Sequence, residues 1–169
     1  ASGSSSTAMG DSTTASGSIS TAMGNITEAT GSRSTAMGNN TLASGNNSTA
    51  MGYFTTASGN KTTAMGANTT ASDYASLVIG QFNSSGSSVT NNATSYNTAN
   101  TAFVIGNGAD SSNKSDAFKV MFNGDTTVSN DLTVSGDVVI SSDARLKSNI
   151  VSLGSTLPKL LQIDGKSYE

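Results

Sequence analysis

Ser34-Thr35-Ala36-Met37-Gly38-Asn39-Asn40-Thr41-Leu42-Ala43-Ser44-Gly45 holds two short phrases, Ala-Met-Gly and Ala-Ser-Gly, half a period apart. Both recur every fourteen residues without an insertion. The first begins at Ala8, Ala22, Ala36, Ala50 and Ala64 and becomes Val78-Ile79-Gly80; the second runs from Ala1-Ser2-Gly3 to Ala71-Ser72-Asp73. Met9, Met23, Met37, Met51 and Met65, followed by Ile79, therefore form one column, and Thr13, Thr27, Thr41, Thr55 and Thr69 form another. A register this regular is a stacking rule. Each period is one coil of a solenoid, resting on equivalent residues of the coils before and after it.

The coils are not helical. Glycine recurs about every seven residues, with Ser and Thr filling the intervals, and all three lower helix stability. Each period reads as two strands, Ser34 to Met37 and Thr41 to Ala43, joined by corners. Gly38 and Gly45 are expected at the sharp turns, where φ can be positive, and Asn39-Asn40 and Asn46-Asn47 suit the same places. Coils stacked at roughly 4.8 Å give a six-coil rod about 29 Å long. Strand alternation sends Ala36 and Met37 to opposite faces. Ala and Met are mediocre strand formers, so the ladder between coils must hold the rod together. A Met column on the outside of a thin rod is an exposed apolar stripe, and such stripes mark interfaces. Self-association covers it most economically, because every copy carries the same stripe.

The 169 residues are only 34% apolar and 11% charged, with one proline and no cysteine, histidine or tryptophan. Globular domains carry about 45–50% apolar and about 25% charged residues, so no thick core can form. The same composition fits a disordered linker, but disorder does not need Met at every fourteenth place. A net charge of −3 gives no basic footprint for nucleic acid. No apolar run reaches the ~18 residues that span a membrane. A chain opening on Ala1 is expected to be processed or a fragment. No cofactor or metal is expected, since no His, Cys or paired-carboxylate cluster is present.

Beyond residues 1–80 the register fails. Residues 81–101 are rich in Ser, Asn and Thr and read as a loop or lateral excursion. Residues 102–141 read as a β shaft. Ala102-Phe103-Val104-Ile105-Gly106 restates the apolar strand out of step, and Asp116 to Phe122 is a strand ended by the Asn123-Gly124 turn. Three hexads follow, starting at Gly124, Asn130 and Gly136. They suit a thin intertwined fibre in which three chains bury Val128, Val134 and Ile140 around one axis. Asp125, Asp131 and Asp137 are read as solvated turn residues rather than cation ligands.

Ser34-Thr35-Ala36-Met37-Gly38, Asn47-Ser48-Thr49-Ala50-Met51-Gly52 and Ser76-Leu77-Val78-Ile79-Gly80 resemble the head repeats of YadA-type trimeric autotransporter adhesins. That family's motif is Asn-Ser-Val-Ala-Ile-Gly, with Ala-x-Gly half a period later. Thr and Met stand here where the family often has Val and Ile. The resemblance implies an all-β chain forming a left-handed parallel β-roll, assembled as a homotrimer, with the Met9-to-Ile79 column at the trimer core.

Ser142-Asp143-Ala144-Arg145-Leu146-Lys147-Ser148-Asn149-Ile150, opening the segment 142–169, resembles the start of the C-terminal intramolecular chaperone of phage endosialidase tailspikes. That family trimerises its fibre and then cuts itself free. The resemblance implies Ser142 as nucleophile and Lys147 as base, with the scissile bond beside Ser142. The chemistry is coherent, since desolvation can lower a lysine pKa enough to take the serine proton. The bland alternative is a helix-capping Ser142 and a solvated Lys147. A short helix is expected near Thr156 to Gln162, ended by Gly165.

These readings converge on a structural and adhesive subunit of an extracellular fibre on a virion or bacterial surface, whose main partner is itself. A host-cell receptor would be met by irregular residues such as Ile26, Arg33, Tyr53 and Phe54. The competing reading is an ice-binding solenoid presenting the Thr13-to-Thr69 column, although Glu28 and Leu42 interrupt the neighbouring one. Ile105-Gly106-Asn107-Gly108 lacks the third glycine and the helix of a dinucleotide turn.

Overall fold

The computed structural model describes residues 1–138. Ile140, Ser142, Lys147 and the helix expected near Thr156 to Gln162 lie outside the described residues. The chain divides into two units, Ala1–Leu132 and a second beginning at Thr133. The first is an all-β parallel solenoid.

Each coil contributes a five-residue strand and a two-residue strand. The long ones are Thr7–Asp11 (β1), Thr21–Asn25 (β3), Thr35–Asn39 (β5), Thr49–Tyr53 (β7), Thr63–Ala67 (β9) and Leu77–Gln81 (β11). The short ones are Thr14–Ala15 (β2), Glu28–Ala29 (β4), Leu42–Ala43 (β6), Thr56–Ala57 (β8) and Thr70–Ala71 (β10). Long strands stack in parallel on long, and short on short, in the fourteen-residue register: Met23 pairs with Met37 and Met37 with Met51.

Alanine is inside. Ala22, Ala36, Ala50 and Ala64 on the long strands, and Ala15, Ala29, Ala43, Ala57 and Ala71 on the short ones, are all 0% exposed. A coil of fourteen residues leaves room between its walls for a methyl or a hydroxyl and little more. Ser20, Ser34 and Ser48 complete the filling, each donating its hydroxyl to a glycine carbonyl three residues back at 2.7 Å.

Thr27, Thr41, Thr55 and Thr69 are also interior, at most 1% exposed, and their hydroxyl oxygens have no hydrogen-bond partner among the described residues. This corrects the idea of an ice-facing threonine array. The left-handed corner just before each of these residues, as at Asn40 before Thr41, turns the side chain into the roll.

The glycines are fixed by stacking more than by turning. A Cβ on Gly38 would lie 2.1 Å from the Gly52 carbonyl oxygen, and one on Gly45 would lie 1.9 Å from that of Gly59. Positive φ occurs at Gly38 but not at Gly45. The true corners are non-glycine residues: Ile19, Arg33, Asn47 and Lys61 on one side, Ile26, Asn40, Phe54 and Phe82 on the other, with φ between 41° and 61°. Asn40 and Asn47 sit where the sequence suggested. Corner amides are held along the axis, as in Ile26 N–H to the Asp11 carbonyl at 2.9 Å.

After Gln81 the chain leaves the stack and then returns to it. Thr101–Asn107 (β12) docks in parallel on β11 with Val78 opposite Val104 and Gly80 opposite Gly106. The phrase that is out of step in sequence is in step in space. Asp116–Met121 (β13) and Thr126–Val128 (β14) then add to the same sheet as antiparallel strands, so residues 101–128 extend the roll's sheet instead of opening a separate shaft.

Candidate interaction surfaces

The outer face of the long-strand sheet carries the Met column. Met9 is 57% exposed and Met65 38%, while Met23, Met37, Met51 and Ile79 are half-buried by their neighbours. Thr21, Thr35, Thr49 and Thr63 share that face by alternation, two residues before each Met. The result is a straight apolar stripe, one thioether per coil, parallel to the rod. Val128 and Val134, expected in the fibre shaft, are exposed in the single chain. Ile140, Ser142 and Lys147 fall outside the described residues.

The corners carry the irregular side chains. Tyr53 and Phe54 meet edge to face, with ring centroids 4.6 Å apart, and both are exposed. Ile26, Phe54 and Phe82 stand on one corner column, separated by Asn40 and Asn68. The opposite corner column bears Arg33, whose Nε donates to Asn47 Oδ1 at 2.9 Å, and Lys61, whose Nζ donates to the Tyr74 hydroxyl at 2.7 Å. Polar ladders tie the coils together: Asn39 Nδ2 donates to Asn25 Oδ1 at 2.8 Å, and Asn25 Nδ2 to Asp11 Oδ2 at 2.9 Å.

The excursion between β11 and β12 is built around side chains that sequence reading passed over. Asp73 occupies a glycine column and is fully buried. Its carboxylate accepts from the backbone N–H of Thr90 at 2.6 Å and of Thr101 at 2.8 Å, and from the Thr101 hydroxyl. Asn83 stands in for a missing short strand: its amide accepts from Thr70 N–H at 2.8 Å and donates to the Thr70 carbonyl at 2.9 Å. The break of Ala-Ser-Gly into Ala71-Ser72-Asp73 was the available signal. Asp110, on an exposed turn, is held below the usual carboxylate range by the Asn113 side-chain amide and then by the Ser112 and Asn113 N–H groups.

Among the described residues no group of three or more His, Cys, Asp or Glu side chains is placed to hold a metal ion. No helix there is long and apolar enough to cross a membrane.

Inward alanine, outward methionine and stacked glycine in a fourteen-residue register match a known family. The family described as YadA head domain repeat (2 copies) matches residues 1–26, 29–55 and 57–83, each stretch close to two coils. These three stretches within residues 1–83 are similar to YadA head repeats. The YadA match ends where the excursion begins, and Asp73 and Asn83, which hold the excursion against the roll, lie within its last matched stretch. A search of curated proteins gives no match.

Proposed function

We propose that the chain is a structural and adhesive subunit of a homotrimeric extracellular fibre, on a phage tail or a bacterial surface. The Met column carries this reading. It is too apolar and too continuous to stand in water along a thin rod, and three copies sharing an axis cover it. The YadA head repeats support the same assembly and a surface-exposed location. The exposed Val134, beyond β14, fits a shaft that gains its core only when triplicated. Sedimentation velocity on the native chain is expected to give three times the 16.9 kDa protomer mass. A monomer would contradict the reading.

The C-terminal segment is proposed to assist trimer folding and to release itself once. Ser142 Oγ attacks the neighbouring carbonyl carbon as Lys147 takes its proton. The C–N bond breaks, the leaving amine takes up that proton, and water hydrolyses the ester. Expression of the full reading frame with Ser142→Ala beside the wild type tests this. Loss of a C-terminal fragment only in the wild type supports it, and identical intact products overturn it. The buried Thr27-to-Thr69 column leaves an ice-binding reading without support.

A further inference from the structure

Three clefts lie end to end on the corner side of the roll, off the Met face. The first, about 230 Å³, is lined by Ile26, Glu28, Leu42 and Phe54 among others. The second, about 210 Å³, shares Phe54 and adds Asn68, Phe82 and Lys114. The third, about 390 Å³, shares Lys114 and adds Asn107, Lys119 and Ser129. Phe54 is common to the first two and Lys114 to the last two, so the clefts adjoin in a row along the rod, and together they are called the groove.

Its chemistry is mixed in a definite way. Ile26, Phe54 and Phe82 project from corners two coils apart, roughly 9.6 Å, so apolar faces recur at about the scale of a disaccharide. Asn and Thr side chains between them offer amides and hydroxyls that donate and accept. Of the four cationic side chains in residues 1–138, two, Lys114 and Lys119, stand at one end. Asp116 also lines that end, but its two carboxylate oxygens are taken by the Ser84 and Ser85 N–H groups, both at 2.8 Å. Glu28 marks the other end.

We infer that this groove binds a linear anionic polysaccharide. Apolar rings would lie against the C–H faces of sugars, amides and hydroxyls would pair with sugar hydroxyls, and Lys114 and Lys119 would hold a carboxylate or sulfate. Glu28 disfavours acid groups at the far end, so the anionic contacts concentrate at Lys114 and Lys119. A protein of net charge −3 has no general attraction for polyanions, so binding would report this local feature.

Calorimetry on the whole chain tests the inference with four probes: an oligogalacturonate, a heparin-derived oligosaccharide, a neutral cello-oligosaccharide of similar length, and oligo-dT. The acidic saccharides are expected to bind at least tenfold more tightly than the other two. Lys114→Ala/Lys119→Ala should weaken them tenfold or more and flatten the salt dependence. Phe54→Ala should weaken them with the salt slope unchanged, and Lys61→Ala, on the opposite corner, should change nothing. The inference is overturned if neither acidic saccharide binds, if the neutral saccharide or oligo-dT binds as well, or if Lys61→Ala matters as much as the groove variants. None of these side chains belongs to the Met column, so the variants should sediment as the wild type does.

Discussion

The carboxylate of Asp73 accepts the backbone N–H of Thr101 at 2.8 Å, joining the last glycine-column position of the repeats to the first residue of β12. A second oxygen takes the N–H of Thr90, so one side chain anchors both the middle and the end of the excursion. In the earlier coils glycine fills this place and the chain turns straight into the next coil. After Asp73 it does so once more, into β11, but the next coil, whose glycine would stack on this place, is replaced by the excursion. A buried carboxylate with donors on both oxygens is a strong local organiser, since its loss strands the buried N–H and hydroxyl of Thr101.

Asp73→Gly therefore restores the repeat phrase yet destabilises the fold, by about 2–4 kcal/mol for the stranded donors. Urea midpoints measure the loss. Hydrogen exchange at the Thr90 and Thr101 amides should quicken more than at the Met37 or Met51 amides. Equal acceleration everywhere would show that Asp73 has no special hold on the excursion.

Gly38→Ala sets a methyl against the Gly52 carbonyl and places alanine at a φ of +122°. Backbone cannot yield as a side-chain end can, so the cost is roughly 3 kcal/mol or more. Thermal melts of Gly38→Ala and Gly45→Ala should both show it, the second without any φ strain. A tolerated Gly45→Ala would refute the stacking explanation of that column.

Thr41→Val keeps the shape of an interior side chain and removes a hydroxyl that has no partner. Stabilisation of about 1 kcal/mol is expected, by the desolvation an unpaired hydroxyl costs. Destabilisation in the urea midpoint would mean that the hydroxyl is bonded in solution.

Ile19 holds φ at +58° on an exposed corner, a conformation that β-branched residues resist and asparagine accepts. Ile19→Asn should raise stability by about 1 kcal/mol, read as a shift in urea midpoint. An unchanged or lower midpoint would show that the isoleucine contributes contacts outweighing its strain.

Much of this was legible in the sequence because a solenoid repeats its errors and its rules alike. The Ala36/Met37 alternation placed one side chain in and the other out, and the period alone gave strand pairing. Thr41 was harder. Its column is as regular as the Met column, and only the left-handed corner at Asn40 sends it inward. Asn40 and Asn47 announced their corners, but Ile19, Ile26 and Phe54 at equivalent places did not, because stacking overrides their local preference. The return of Val104 opposite Val78 depends on Asp73 and Asn83, side-chain contacts that no periodicity encodes.

The Met stripe remains the centre of the account. The decisive measurement is the sedimentation mass of the wild type beside Met37→Asp/Met51→Asp, which puts two charges on that face and leaves the alanine interior untouched. Burying unpaired carboxylates costs several kcal/mol, enough to dissociate a trimer held by this stripe. A trimeric wild type and a folded monomeric variant are predicted. A wild type that sediments as a monomer, or a variant that stays trimeric, would contradict the claim.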